Sequence, residues 1–292
     1  MDEGRIGAVR ITRIHESVLT EVASAWFLGF DREALRPHDR WLIPNHFDPV
    51  ADTITMPVHS WLLRDGRRTI LIDTCCGNHK DRLGIPGFHQ LDTPYLERLA
   101  AAGVQPEQVD YVLCTHLHMD HLGWNTRLLD GRWVPTFPNA KYVISRTEYE
   151  HVARKAEPES ALLNRLIYRD SVLPVVEAGQ ALFVDGEDCL EDILTIRPAP
   201  GHSPGHVRIE LSSDGAMGVF SGDLIHSPIQ APFWRWSTRF CEDPAQSAAT
   251  RRDLLAFCAE HDALLLPGHF NVDHVARARV DGDAFALDFG WG

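Results

Sequence analysis

The sequence has no long run of lysine and arginine, and its 41 acidic residues outnumber its 28 basic residues. The formal net charge of −13 argues against nucleic acid or an anionic membrane as a partner, because both are bound through basic patches. No apolar run approaches the roughly 20 residues that span a bilayer, and residues 1–10 lack the features of a signal peptide. We therefore expect a cytoplasmic protein whose partner is a small molecule.

Cysteine is also sparse, with six residues that are scattered and form no CxxC pair. A disulfide framework is therefore not expected. Cys75 and Cys76 adjoin the apolar run TILID. We predict that they pack as small residues beneath a site, with a catalytic or ligand role as the alternative.

Internal repeats, low-complexity stretches and obvious linkers are absent, which predicts one continuous domain over residues 1–292. Apolar patterns predict strands at residues 7–14, 57–63, 68–73, 111–115, 141–145, 193–199, 206–212, 216–222 and 263–267. The Asp-Gly turn in RDGR predicts that segments 57–63 and 68–73 form a hairpin. Helical periodicity predicts helices at residues 95–103, 146–155, 160–177 and 244–261, the last with Asp243 or Pro244 at its start. Two sets of strands with helices between and outside them indicate a layered α/β sandwich.

Histidine and aspartate cluster in the segment HLHMDH, which holds His116, His118, Asp120 and His121 directly after an apolar run. Imidazole and carboxylate groups suit zinc, iron, manganese or cobalt. In a tight loop, His116 and His118 can face one ion while Asp120 and His121 face a neighbouring ion. The segment therefore predicts a metal site with ligands for two ions.

Three further polar clusters fall at the ends of predicted strands: GHSPGH, SGDLIH and PGH. They contain His202, Asp223 and His269, in turns whose glycine and proline residues let the backbone approach closely. Loops at the strand ends of a rigid scaffold are where reactive side chains are commonly held. Together with HLHMDH, these clusters supply seven potential metal ligands.

The order HxHxDH, GHSPGH, GD and PGH resembles the motifs of the metallo-β-lactamase superfamily over about residues 55–270. The resemblance implies a four-layer αββα sandwich with the metal site at one edge of its two sheets. It also implies two divalent metal ions, zinc by default, with iron, manganese or cobalt as alternatives. In the family's terms, metal one is bound by His116, His118 and His202, metal two by Asp120, His121 and His269, and Asp223 bridges the two ions.

Residues around the ligands also have counterparts in the family. Asp73, at the end of TILID, is expected to orient the ligand loops, and His206 is expected to support a ligand or to pack. The family often has glycine where Cys75 stands, which leaves the local turn geometry open.

Neither a cysteine at the Asp223 position nor a glutamate at the His118 position is present, so the chain does not resemble antibiotic-degrading lactamases or oxygen-reducing flavodiiron proteins. It looks most like the lactonase and esterase branch, which includes acyl-homoserine-lactone lactonases. The implied reaction is attack of a metal-bridging hydroxide on a lactone or carboxylic ester, with Asp120 as a proton relay. Many lactonases have tyrosine where this chain has His226, so we interpret His226 either as a catalytic donor or as a structural residue.

Two alternatives would use the same dinuclear site. One is a phosphotriester or phosphodiester hydrolase, although a nuclease is disfavoured by the negative charge. The other is a glyoxalase-II-like thioesterase, although residues 270–292 are too few for the C-terminal helical domain of that group. A redox protein is disfavoured because His118 is not a carboxylate.

Three loop-like segments rich in aromatic residues, at 24–30, 46–50 and 227–240, would suit an apolar wall for a hydrophobic substrate. Their alternative role is to cover the sheet edges or to form a homodimer contact. Residues 1–50 precede the family core and are interpreted as a possible lid or dimer arm. Tyr168, on the helix predicted at 160–177, is a weaker candidate for substrate contact.

Overall fold

The computed structural model describes residues 2–291, which form 17 strands and eight α-helices. The strands are β1 Glu3–Ile6, β2 Val9–Val22, β3 Phe47–Asp48, β4 Thr53–Arg64, β5 Thr69–Ile72, β6 Tyr111–Leu113, β7 Thr126–Leu129, β8 Arg132–Pro135, β9 Lys141–Ser145, β10 Ala181–Val184, β11 Asp188–Leu190, β12 Leu194–Pro198, β13 Val207–Ser213, β14 Ala216–Gly222, β15 Leu264–Pro267, β16 Ala276–Asp281 and β17 Ala284–Phe289. The helices are α1 Ala23–Trp26, α2 Arg32–Leu35, α3 Asp39–Leu42, α4 Tyr95–Ala101, α5 Arg146–Arg154, α6 Leu162–Ile167, α7 Leu173–Glu177 and α8 Pro244–Glu260. None of the helices between residues 2 and 291 is long and apolar enough to cross a membrane.

The chain divides into two compact units. The first unit contains the residues up to 17 together with 58–188, and the second contains 18–57 and the residues from 189 onwards. The single domain expected over residues 1–292 stays a prediction. The lid or arm expected for residues 1–50 also stays a prediction, although this segment contains a 14-residue strand, β2.

The first unit contains all or part of seven strands of one sheet, in the order β1-β2-β4-β5-β6-β9-β10, and β3, which pairs with residues 53–54 of β4, belongs to the second unit. Strands β5, β6 and β9 run parallel, with Ile72 opposite Leu113 and Leu113 opposite Val143. Their short apolar sequences are buried, as expected for parallel strands covered on both faces. Because parallel strands end at the same edge of a sheet, the loops that follow β5 and β6 begin side by side.

The second unit contains a seven-stranded sheet in the order β11-β12-β13-β14-β15-β16-β17. Strands β12 and β14 both run antiparallel to β13, and β15 runs parallel to β14, so β12, β14 and β15 end at one edge. Helix α8 makes the crossover from β14 to β15, and its Leu254 and Leu255 pack in one core cluster with Val219 and Leu265. The three loops that carry His202, Asp223 and His269 therefore start from the same edge.

Several local predictions are confirmed. Strands β4 and β5 form the expected hairpin, in which Asp65 Oδ1 accepts hydrogen bonds from the backbone N–H groups of Arg67 and Arg68. Helix α8 begins after Asp243, whose side chain accepts from the Gln246 N–H as an N-cap.

Other predictions were wrong in extent. The segment expected to be helical at 160–177 is helical from Leu162 to Glu177, but it consists of α6, a π-helical segment at Tyr168–Val172, and α7, which has Pro174 in its first turn. The strand expected at 7–14 extends to Val22 as β2, and the hairpin of β16 and β17 was not predicted.

Candidate functional site

The segment HLHMDH forms a loop after β6 in the first unit. His116 and His121 are buried, while His118 and Asp120 are partly exposed. The ring centroid of His116 lies 4.6 Å from that of His118 and 4.2 Å from that of His121. The Asp120 Oδ2 atom is 3.8 Å from His121 Nε2. The loop thus brings three imidazoles and one carboxylate of this unit together.

Asp73 orients this loop, in agreement with its expected role. Its buried carboxylate accepts hydrogen bonds from Thr115 N and Thr115 Oγ1, each at 2.8 Å, and lies 2.8 Å from His121 Nδ1. A proton on Nδ1 held by Asp73 leaves the Nε2 lone pair of His121 as the metal-binding atom. Asp73 therefore selects the imidazole tautomer that a metal ligand needs.

The turn after Asp73 answers the question left open at Cys75. Cys75 has φ +52, a left-handed conformation in which glycine is favoured. Both Cys75 and Cys76 are buried, and burial raises the pKa of each thiol well above its usual range. Neither thiol is a reactive group, which supports the packing interpretation over a catalytic role.

Backbone hydrogen bonds join the turn at residues 74–77 to residues 121–124, and we call this pair of segments the clasp. Thr74 N donates to His121 O at 2.6 Å, Gly123 N donates to Cys75 O at 2.7 Å, and Trp124 N donates to Thr74 O at 2.8 Å. A Cβ atom on Gly123 would lie 1.8 Å from the Cys76 carbonyl oxygen, so only glycine fits there. The position of His121 is therefore set by the neighbouring turn as well as by Asp73.

Glu148 is a supporting residue that the sequence reasoning missed. Its buried side chain accepts a hydrogen bond at 3.1 Å from the backbone N–H of Leu117, between His116 and His118. The sequence SRTE at 145–148 reads as a capping box, in which Glu148 would reach back to its own helix start. Ser145 does cap α5, but Glu148 holds the ligand loop instead.

In the second unit, three histidines surround the carboxylate of Asp223. Asp223 Oδ2 lies 3.2 Å from His202 Nε2 and 3.1 Å from His226 Nε2, and Asp223 Oδ1 lies 3.0 Å from His269 Nε2. All four side chains are buried. Three of the predicted ligands therefore meet within this unit, with His226 as a fourth member of the group.

Each of these side chains is held by a further contact. His269 Nδ1 is 2.9 Å from the Pro57 carbonyl oxygen, so its Nδ1 carries the proton and its Nε2 faces Asp223. The backbone N–H of Asp223 donates to His206 Nε2 at 3.1 Å, which agrees with the supporting role expected for His206. His202 Nδ1 lies 3.6 Å from the sulfur of Cys241.

The electrostatics of the group are dominated by Asp223. Burial lowers the pKa of His202, but the Asp223 carboxylate outweighs burial and raises the pKa to about 9. For His226, burial dominates and lowers the pKa to about 4 in spite of the same carboxylate. Without a metal ion, the His202 imidazole is therefore protonated and the His226 imidazole is neutral near pH 7.

The aromatic loops pack together within the second unit. Leu28 N donates to Ser237 O at 2.8 Å and Arg239 N donates to Trp26 O at 3.0 Å, which joins segment 24–30 to segment 227–240. Phe233 stacks on Trp236 with ring centroids 4.3 Å apart. Trp26 lies edge-on to His226 at 6.0 Å, so the aromatic cluster reaches the Asp223 group.

The side chains suited to hold metal ions are, in the first unit, His116, His118, Asp120 and His121, and in the second unit His202, Asp223 and His269. This set of imidazole nitrogens and carboxylate oxygens fits zinc, iron, manganese or cobalt. These are the seven residues that the sequence predicts as metal ligands, and their role as ligands stays a prediction. Glu148 and the Cys241 contact could not be recognised from the sequence.

Curated relatives and solved structures are similar to this chain. N-acyl homoserine lactonase AttM of Agrobacterium fabrum is 26% identical over 193 residues, which are 61% of this chain and 64% of AttM. The probable metallo-hydrolase YybB of Bacillus subtilis is 28% identical over 182 residues, 61% of this chain and 69% of YybB. The chain thus matches just under two thirds of the length of AttM.

Two solved structures align with almost the whole chain. The hydrolase AbOPH, in the beta lactamase superfamily, has a TM-score of 0.81 at 22% identity and covers 98% of this chain and 95% of its own. AidC, a dizinc quorum-quenching lactonase, has a TM-score of 0.79 at 22% identity, and the alignment covers 99% of this chain and 96% of AidC. These likenesses confirm the predicted fold class. The pattern of the Metallo-beta-lactamase superfamily itself matches residues 54–269. The chain belongs to the metallo-β-lactamase superfamily.

Proposed function

We propose that this protein is a dinuclear metallohydrolase that opens a lactone or cleaves a carboxylic ester of a hydrophobic small molecule. The observation that carries the proposal is the buried Asp223 carboxylate, which has an imidazole Nε2 within 3.2 Å on three sides. Buried charges need partners or a metal, and three histidines around one carboxylate form a typical metal-binding donor set. The relatives named N-acyl homoserine lactonase favour a lactone as the substrate.

The proposed ligands follow the family pattern. In that pattern, metal one would be held by His116, His118 and His202, metal two by Asp120, His121 and His269, and Asp223 would serve both ions. Two bound divalent ions, zinc by default, would polarise the substrate carbonyl and lower the pKa of a water nucleophile. In this proposal, Asp73, Glu148 and His206 keep the ligands in place.

Two side chains of the chain itself are proposed to act on protons. Asp120 is partly exposed and adjoins His121, which suits a group that exchanges a proton with substrate or solvent. His226 is neutral near pH 7 and can donate from a ring nitrogen to a developing oxyanion. The aromatic cluster that reaches His226 through Trp26 would supply an apolar wall for the substrate.

The first test is proton release by the metal-replete protein on acyl-homoserine lactones, simple lactones, aryl esters, a thioester and a phosphotriester. A chelator-stripped sample is the control. Metal-dependent lactone opening that improves with acyl chain length is expected. Turnover of esters, the thioester or the phosphotriester alone would replace the lactone with that substrate class, and no turnover of any substrate would refute the proposed reaction.

The second test is the Asp223→Ala variant. We expect loss of at least one metal ion and most of the activity, because one carboxylate serves both proposed ligand sets. Asp253→Ala, on the exposed face of α8, is the matched control and should keep both metals. A fully active Asp223→Ala protein with two metal ions would contradict the ligand assignment.

A cytoplasmic location and a homodimer stay predictions from the sequence.

A further inference from the structure

We propose that Glu16, on the N-terminal strand β2, is a positioning residue for the proposed metal centre. Its carboxylate fixes the two turns that hold the His-rich loop in place. This inference rests on the proposed function in one respect, because it takes His116, His118, Asp120 and His121 as metal ligands. It goes beyond the family pattern, which begins at residue 54.

The carboxylate of Glu16 is buried and sits among four hydrogen-bond donors. Cys76 N donates to Oε2 at 2.7 Å. Gly77 N at 3.2 Å, Thr93 Oγ1 at 3.1 Å and Trp124 Nε1 at 2.5 Å donate to Oε1. A carboxylate is costly to bury unless its oxygens accept hydrogen bonds, so this arrangement is a specific site within the first unit.

These donors lie on both sides of the clasp that holds the ligand loop. Cys76 and Gly77 belong to the turn after Asp73, and Trp124 follows His121 by three residues. The two turns approach so closely that a Cβ atom on Gly77 would be 2.6 Å from the Gly123 carbonyl carbon. Glu16 therefore joins the two turns where they touch, and the carbonyl oxygen of His121 accepts a hydrogen bond from Thr74 N in the same pair of turns.

The backbone of strand β2 is held by Arg98 at His15 and Glu16. Arg98 Nη1 donates to the carbonyl oxygens of His15 and Glu16, each at 2.8 Å. Arg98 lies on α4, so a helix fixes the backbone of β2 at Glu16. The side chain of Glu16, in turn, contacts the two turns that hold the His-rich loop. Residues of the N-terminal extension thus take part in supporting the loop.

The replacement Glu16→Gln separates positioning from simple packing. The side chain keeps its shape, but one carboxylate oxygen becomes an NH2 group that points at an N–H donor whichever way the amide is turned. The clasp would have to open to relieve this contact. Groups hydrogen-bonded directly to metal ligands typically contribute about 10–100-fold to metal affinity, and Glu16 acts one contact further out, so we expect the lower end of this range.

The experiment measures metal affinity by chelator competition and the visible spectrum of the cobalt(II)-substituted full-length protein, together with thermal stability. Glu16→Gln is expected to bind metal about 10-fold more weakly and to show an altered cobalt spectrum. Gln180→Leu is the control, because Gln180 donates to Phe137 O and Ala140 O in the same unit, away from the clasp. It should lose stability and keep the wild-type affinity and spectrum.

If Glu16→Gln does not fold, Trp124→Phe and Thr93→Val each remove one donor and leave the carboxylate in place. Each should weaken metal binding by a smaller factor, between about 2-fold and 10-fold. Wild-type metal affinity and spectrum in Glu16→Gln, or in both donor variants, would overturn the positioning role. Because the readout is metal binding, a wild-type protein that binds two ions and hydrolyses no substrate would refute the proposed function without touching this inference.

Discussion

His226 stands where many lactonases have tyrosine, so its contacts bear directly on how the proposed site would act. Its Nε2 lies 3.1 Å from Asp223 Oδ2, its ring stacks on His269, and its backbone N–H is held by Gln230 Oε1 at 2.7 Å. These contacts fix the imidazole beside the proposed bridging carboxylate. The geometry is compatible with a proton donor and also with a residue that orients Asp223.

We predict that His226→Phe keeps both metal ions and loses at least 10-fold in kcat on its best substrate, because phenylalanine can keep the ring stacking but cannot donate a proton. The measurement is kcat and KM alongside metal content. His261→Phe, at an exposed histidine after α8, is the control and should leave kcat unchanged. Full kcat in a metal-loaded His226→Phe protein would assign His226 a purely structural role.

Lys80 is a buried lysine that no part of the proposed reaction uses. Its ammonium group donates to Thr126 Oγ1 at 2.6 Å and to Asp170 O at 3.1 Å, and it lies 3.7 Å from the centre of the Trp133 ring. The Asp170 carboxylate is already paired with both terminal nitrogens of Arg82. Burial lowers the pKa of Lys80 to about 7, against the attraction of Asp170.

A lysine with a lowered pKa binds fewer protons in the folded state than in the unfolded state between about pH 7 and the usual lysine pKa of about 10.4. The free energy of unfolding should therefore rise with pH in this window, by about 2 kcal/mol between pH 7.5 and 9.5. Lys80→Met should remove this slope. Denaturant unfolding of both proteins at several pH values tests it, and equal slopes would contradict the lowered pKa.

At the scale of elements, the clasp between residues 74–77 and 121–124 depends on glycine. We predict that Gly123→Ala destabilises the protein by about 3 kcal/mol, because its Cβ atom would collide with the Cys76 carbonyl, and that it weakens metal binding. Gly131→Ala is the control: its φ of +75 costs about 1–2 kcal/mol, but nothing lies near the added methyl group. Denaturant unfolding and metal affinity of both variants are compared. Equal metal affinity in the two variants would show that the clasp does not position the ligands.

The segment at residues 160–177 contains an irregularity that its helical periodicity does not reveal. Its apolar spacing correctly indicated helical structure, but not the π-helical segment at Tyr168–Val172. Asp170 is buried in that segment and pairs with Arg82, which is 88 residues away in the chain. A periodic pattern carries no information about such a distant partner, so the irregularity could not be predicted.

At the scale of the whole molecule, metal binding and folding should be coupled. A ligand that binds only the folded state stabilises it by about 2.7 kcal/mol at a concentration 100 times Kd. We predict that chelation lowers Tm by about 5 °C or more. Thermal unfolding with and without chelator measures this shift, and Asp223→Ala should show a smaller one. An identical Tm in both conditions would argue against metal ions bound to the folded protein.

Loss of a metal ion should also change the protonation of His202. In the metal-free chain, the pKa of His202 is raised to about 9 by Asp223, so His202 takes up a proton at neutral pH when a metal ion leaves. The same reasoning predicts tighter metal binding as pH rises towards 9, since metal and proton compete for Nε2. Affinity measured at several pH values tests the sign of this dependence. An affinity that is constant or falls over this range would contradict it.

The sequence by itself determined the types of the candidate ligands, their order and their placement at strand ends. These features are local: short apolar strands, glycine-rich turns and the spacing of histidine and aspartate can be read within a few residues. The same local patterns gave the hairpin of β4 and β5 and the capped start of α8.

Only the tertiary structure decided which residues hold the ligands in place. Trp124 meets Glu16 across 108 residues of sequence, and Leu117 meets Glu148 across 31. Each of these glutamates looks like an ordinary polar residue of a strand or a helix start when read in sequence. Burial turns them into fixed acceptors, because a carboxylate removed from water must be satisfied by donors that folding brings from distant parts of the chain.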